Sequence, residues 1–218
     1  MEMKGRIEVL KYREAIDFLL PKHYSGRKPN VKIAFGWFIK QKLVAVVSFG
    51  KPASNTLCDG VCGKEFSSNV YELNRLCRVD ELQEQLSQFV SACLRRISLN
   101  NWIIVSYADT AMCHNGYIYQ ACNFLYTGKT KRRTDKYTEG NKHSRHYDKN
   151  AKEVYRKVRS AKHRYIFFAT KKKKLKKQWL KSLNYEIKTY PKEENKMYKL
   201  GEYQKPEIVK IENEREGK

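Results

Sequence analysis

A hydroxyl, a phenol, a carboxylate and an imidazole fall within nine residues of the chain, at Ser106, Tyr107, Asp109 and His114. They follow the apolar run Trp102–Val105, so they sit where a buried strand should end, and Thr110, His114 and Asn115 open the next helix. In an open α/β sheet the strand C-termini, and the helix N-termini beyond them, form the ligand crevice. These residue types in that place make an acid/base set able to move a proton on a bound substrate. They also admit a structural reading, with Asp109 and Thr110 as helix caps and Ser106 as sheet filler.

A second set, Glu72-Leu73-Asn74-Arg75, lies in the alternating segment VYELNRLCRV. A Glu or Asn pointing inward from a central strand is costly unless it is paired or functional. A buried pair of Glu72 with Arg75 or Arg78 is the structural alternative. Cys58 and Cys62 have the wrong spacing for a zinc knuckle and no second CxxC pair, so a structural role in a glycine-bearing loop is expected and no metal ligand is assigned. The Walker and dinucleotide glycine motifs, G-x-S-x-G and the N/D-P-P-Y/F signature of adenine methyltransferases are absent.

The third set is basic. Lys131, Arg132, Arg133, Arg145, Arg156, Arg159 and Arg164 are interleaved with Tyr137, Tyr147, Tyr155 and Tyr165. Guanidinium groups for phosphate and aromatic faces for stacked or extruded bases are the usual nucleic-acid mixture. The lysine run at 171–177 also reads as a solvated helix face.

The elements that must position these groups follow from periodicity. Residues 6–20 read as a strand and a short amphipathic helix, followed by the basic loop KHYSGRKPN. Two apolar strands between Ile33 and Gly50 form a hairpin turning near Lys40–Lys42. Residues 52–69 read as a long loop, 70–79 as a strand, 81–97 as a helix, then the Trp102 strand, a short helix and a strand from Leu125. The order from residue 30, β-β-loop-β-α-β-α-β, requires a partly parallel sheet. Beyond residue 130 the reading is a polar loop, a basic helix, a strand at Tyr165–Ala169 and a lysine-rich helix anchored by Leu175, Trp179 and Leu183.

The composition, 41% hydrophobic and 31% charged, is globular, and no apolar run is long enough for a bilayer. No apolar leader opens the chain and six cysteines are scattered through it, so reduced thiols and a cytoplasmic location are expected. A net charge of +22 points to a polyanionic partner. Residues 129–218 hold 29 of the 45 basic and 12 of the 23 acidic side chains, so a near-neutral body carries a basic C-terminal part. The chain reads as an α/β enzyme acting on nucleic acid.

ELNRLCRV, a helix, then IIVSYADTAMCHNGYIYQACNFLYTGKTKRRTD resembles the Mom family of phage DNA-modification proteins, remote members of the GNAT acyltransferase fold. HYSGR at 23–27, FGKPASNTLCDGVCGKEF at 49–66 and KHRYIFF at 162–168 extend the resemblance over residues 20–190. It implies a GNAT-like α/β fold, a mixed central sheet flanked by helices with a basic C-terminal extension. One domain is expected over 1–190, with a basic loop at 129–150, a basic helical and strand part at 151–190, and a charged tail at 191–218. The implied activity converts adenine in double-stranded DNA to N6-carbamoylmethyl-adenine, which shields phage DNA from host restriction; the location would then be the host cytoplasm.

Carried over residue by residue, the resemblance assigns catalysis to His23, Asn74, Arg75, Ser106, Tyr107 and Asp109. Arg27, Gly116 and Tyr119 are assigned to the cofactor or donor. Lys131, Arg132, Arg133, Tyr137, Arg145, Tyr147, Arg159 and Arg164 are assigned to nucleic acid. The chain has Cys113-His114 where family members often carry Gly-His. It also lacks the glycine-rich turn that would hold the pyrophosphate of acetyl-coenzyme A after the Glu72 strand, having VDELQEQLSQF instead. The donor is left unknown: an activated glycyl group such as glycyl-tRNA, or a CoA thioester, with iron also open. The competing readings are a non-catalytic basic nucleic-acid-binding module and an acetyl-CoA-dependent N-acetyltransferase.

Overall fold

The computed structural model describes residues 5–82, 86–137, 154–192, 196 and 207–211 of the chain. A seven-stranded mixed sheet has the order β1-β2-β3-β4-β5-β9-β6. Its strands are β1 (Arg6–Val9), β2 (Ile33–Ile39), β3 (Lys42–Gly50), β4 (Val70–Arg78), β5 (Trp102–Asp109), β6 (Leu125–Lys129) and β9 (Lys162–Ala169). Pairing is antiparallel except between β4 and β5. A smaller antiparallel sheet joins β7 (Arg133–Lys136), β8 (Val154–Arg159) and β10 (Ile208–Ile211) in the order β10-β8-β7.

The unbroken apolar run of β5 is explained by burial on both faces. Trp102, Ile104 and Ala108 enter one core with Phe89, Val90, Cys93, Leu94 and Ile97, which recur at helical spacing along α3 (Leu86–Ile97). Ile103 and Val105 enter a second core with Cys58, Val61 and Cys62 of α2 (Asn55–Cys62) and Trp179 of α5 (Lys173–Lys181). A third core seats α1 (Tyr12–Leu19) through Ala15, Phe18 and Leu19 on Ala34, Val46 and Cys77. Each fully buried large apolar side chain contributes about 1.5–3 kcal/mol. The β2–β3 turn falls at Lys40 and Gln41, both with positive φ, the backbone a two-residue hairpin turn requires.

Four local expectations are corrected. Cys58 and Cys62 lie on a helix rather than in a loop: Ser54 Oγ accepts from Leu57 N (3.2 Å) as a cap, and Cys58, Val61 and Cys62 share the buried face. Residues 154–159 form a strand, not a basic helix, because Tyr155, Lys157 and Arg159 alternate with Arg156 and Val158 at period two. Within the segments read as loop and tail, residues 133–136 and 208–211 are strands flanking β8. Finally, β9 starts at Lys162, earlier than its apolar residues suggest, because it pairs with β5 as far as Asp109. No helix among the described residues is long and apolar enough to cross a membrane.

Candidate active site at the fork of the sheet

β4 and β5 run parallel from Val70↔Ile103 to Leu73↔Ser106 and then part. β4 goes on to Arg78 alongside β3, while β5 goes on to Asp109 alongside β9. Ser106 Oγ donates to Leu73 O (3.0 Å) at the last rung, so the buried serine closes the fork. Beyond it lies a cavity of about 1860 Å³, roofed at its mouth by residues of β7 and β8.

Asn74 decides what β4 presents to this cavity. Ser48 pairs with Arg75 and Phe49 with Leu73, which leaves Asn74 as the extra residue of a β-bulge. A bulge reverses the alternation beyond it. Leu73 packs into the α3 core, whereas Arg75 escapes that face and lines the cavity together with Glu72. Asn74 is pinned in the bulge from both sides: Ser48 Oγ donates to its Oδ1 (2.7 Å), and its Nδ2 donates to Asn30 O (2.7 Å).

Arg75 Nη1 donates to Asn74 O (2.6 Å) and Nη2 to Arg27 O (3.1 Å), while its buried Nε has no partner. It forms no ion pair among the described residues, and burial works against its charge. Glu72 makes no ion pair with Arg75 or Arg78, so the buried pair of the structural alternative is not formed; Arg78 donates to Leu82 O. Burial raises the pKa of Glu72, and the charges of Arg75 and Lys162 counter this only in part. Across the cleft the Tyr107 phenol is held protonated, by burial and then by the Glu72 charge.

Asp109 is the opposite case. Burial alone would raise its pKa, but the charge of Lys162 and hydrogen bonds from Ser160, Lys162 and Ala111 N outweigh burial and hold it below the ordinary carboxylate value. Lys162 Nζ lies 2.9 Å from Oδ2, Ala111 N donates to Oδ1 (3.0 Å), and Ser160 Oγ donates to the same oxygen. Only 1% exposed, Asp109 is a saturated anion that caps the turn at Thr110–Met112.

The other assigned residues sort by what holds them. His23 is depressed to about 2, first by burial and then by Arg75, Lys162 and His114. Ser25 N donates to its Nδ1 (3.1 Å), so the neutral ring carries its proton on Nε2, stacked 4.3 Å from Tyr24. Burial also lowers His114, against the pull of Asp109. Gly116 has φ +83 and starts α4 (Tyr117–Ala121), and a Cβ there would lie 2.3 Å from the Tyr165 ring. The Tyr119 phenol, beside Ser106, is pushed up to about 12 by burial. His23, Arg27, Asn74, Arg75, Tyr107, Asp109, Gly116 and Tyr119 all line the cavity.

Lys131, Arg132, Arg133 and Arg159 line its mouth. Tyr137 is not part of the lining; its N donates to Tyr155 O (3.0 Å). Arg164 is bound elsewhere, to Thr127 Oγ1 (2.9 Å) and O (3.1 Å) and over the Tyr185 ring (3.3 Å), and is not part of the lining. Arg145 and Tyr147 lie outside the described residues. Tyr24, Lys157 and Lys162 line the cavity without having been singled out. The alternation in VYRKVR was the available signal for Lys157; nothing in the spacing marked Tyr24. Among the described residues no three His, Cys, Asp or Glu side chains converge as metal ligands.

A mixed sheet that forks between two parallel strands, with ionisable groups along the fork and helices on both faces, defines a GNAT-like fold. The model of the Mom protein family matches residues 5–192, and the chain belongs to that family. Among solved structures it is similar to an N-acetyltransferase from Staphylococcus aureus Mu50, at 10% identity over 77% of this chain and 100% of that one, TM-score 0.47. It is also similar to a Bacillus subtilis acetyltransferase in complex with CoA (17% identity, 76% and 99% covered, TM-score 0.43). A third likeness is to a Drosophila melanogaster polyamine N-acetyltransferase (10% identity, 75% and 100% covered, TM-score 0.42). Likenesses this distant carry no argument about substrate or mechanism. No curated protein matches the chain.

Proposed function

We propose that the chain is a DNA-modifying transferase that converts adenine in DNA to N6-carbamoylmethyl-adenine, protecting phage DNA from host restriction. The observation that supports this most is the company kept at the fork: an unpaired carboxylate and a guanidinium without a carboxylate partner, beneath a basic mouth. Glu72, whose pKa is raised by burial and which has no ion pair among the described residues, suits a general base. Asp109, saturated and acidified, suits a positioning role that holds Lys162 and the end of β5.

In the first step the N6 lone pair of an extruded adenine attacks the carbonyl of an activated glycyl ester. Glu72 takes the N6 proton, Arg75 steadies the oxyanion, and the C–O bond breaks as that proton passes to the departing alkoxide. The product, C6–NH–CO–CH2–NH2, then rearranges: its amine attacks C6 to close a five-membered ring, and the original C6–N6 bond breaks. The isomer C6–NH–CH2–CO–NH2 results, with adenine's own nitrogen as the terminal amide. His23 offers a neutral N–H. A CoA donor fits poorly, because Asp80 lines the cavity where a pyrophosphate would lie, Glu81 follows it, and no glycine is present in that turn. Glycyl-tRNA is the donor this reading favours.

Feeding 15N at adenine N6 tests the chemistry: the terminal amide is expected to carry the label, and an unlabelled amide rules out the rearrangement. The non-catalytic alternative predicts no modified adenine from the wild type and DNA binding unchanged by Glu72→Gln.

A further inference from the structure

The cations at the mouth of the cleft are unequally provided with partners. Tyr155, Lys157 and Arg159 share one face of β8, with Asp135 opposite Lys157 and Arg133 opposite Arg159 in the register of β7. Asp135 binds Arg159 (2.6 Å) and lies 3.8 Å from Arg133, and Glu207 binds Arg132 (2.6 Å). Arg27 reaches the same place from the loop between α1 and β2. Burial and the Arg159 charge disfavour the charge of Arg27; burial, Arg27 and Arg159 disfavour that of Lys157; only Asp135 offsets them. Neither Arg27 nor Lys157 has an ion pair among the described residues.

Arg27, Lys157 and Arg159 share the single carboxylate of Asp135 with Arg133 and repel one another, and an anion between them removes the repulsion. The cluster is also wired to the chemistry, since Arg75 donates to the Arg27 carbonyl (3.1 Å). We propose that Arg27, Lys157 and Arg159 form a phosphate subsite for the target DNA strand, gripping the phosphodiester beside the adenine while its base passes to Glu72. The proposal rests on the function proposed above, and it moves Arg27 from the donor to the DNA. Phosphate contacts fix register without reading sequence, which is what a flipped base requires of its flanking backbone.

The test uses the full chain and duplexes containing a site that the wild type modifies. In each duplex one phosphodiester near the adenine is replaced by a neutral methylphosphonate. One replacement is expected to weaken wild-type binding about ten-fold. Lys157→Gln should bind unmodified duplex about ten-fold more weakly, lose about one unit of salt slope, and show no further loss on that methylphosphonate. Lys157→Arg, which keeps the charge, should retain the coupling, and Lys173→Gln on α5 should leave it unchanged. Additive losses in Lys157→Gln overturn the subsite. So does normal DNA binding by that variant with loss of affinity only for the glycyl donor, because the anion would then belong to the donor. If the wild type makes no modified adenine, the proposed function fails; if it does and the coupling is missing, the subsite alone fails.

Discussion

Two carboxylates line the cleft, and the protein treats them in opposite ways. Asp109, at the end of β5, has a lysine, a serine hydroxyl and a backbone N–H, and its pKa falls. Glu72, on β4, has no hydrogen bond or ion pair among the described residues, and its pKa rises. A saturated carboxylate is a poor base, because taking a proton breaks the contacts that hold it. An unsaturated, buried one is costly to the fold and ready to accept a proton. On the proposed function, the difference separates the group that builds the site from the group that acts in it.

The sharpest way to break the comparison is to exchange one oxygen for nitrogen on each side. Glu72→Gln is expected to lower modification of DNA about 1000-fold, read by nucleoside mass spectrometry, while its melting temperature holds or rises. Asp109→Asn should do the reverse: about 2 kcal/mol less stable in urea, a modest figure because Lys162 is one-third exposed, with activity per folded molecule much less affected. Next, Asn74→Ala removes both hydrogen bonds that pin the bulge and should cost about 1 kcal/mol. Its activity should fall further than stability explains, because Arg75 is no longer aimed at the cleft; wild-type activity there would show that the bulge is incidental.

The smallest effect is a pH signature of opposite sign. The folded pKa of Asp109 is depressed below 3.8, so its stabilisation is present above that value and is lost as pH falls through the lower folded pKa. The folded pKa of Glu72 is raised above 4.5, so its contribution is present below 4.5 and is lost as pH rises through the raised value. Difference curves of Glu72→Gln and Asp109→Asn against wild type, measured by denaturation from acid to neutral pH, should slope in opposite directions.

Much of the frame was legible because burial writes itself into composition. The two-sided β5 reads as an unbroken apolar run, and α3 shows its inner face in Phe89, Val90, Cys93, Leu94 and Ile97. The ring of residues around the cleft was legible as residue types at a strand end. Less legible was which of them is already occupied: Asp109 meets Ser160 and Lys162 across some fifty residues of chain, a distance no local spacing reports. The bulge at Asn74 was hidden because alternation in VYELNRLCRV looks continuous until the β3 partner is known. Strand β8 was misread because VYRKVR is basic, and charge drew attention from its period of two.

The most direct measurement is mass spectrometry of nucleosides from DNA of bacteria expressing the wild type, Glu72→Gln or Asp109→Asn at matched soluble levels. A deoxyadenosine heavier by one glycyl unit is expected with the wild type, reduced but present with Asp109→Asn, and missing with Glu72→Gln. Modified adenine at wild-type levels from Glu72→Gln would contradict the assignment of the base, and its absence from all three would contradict the proposed function.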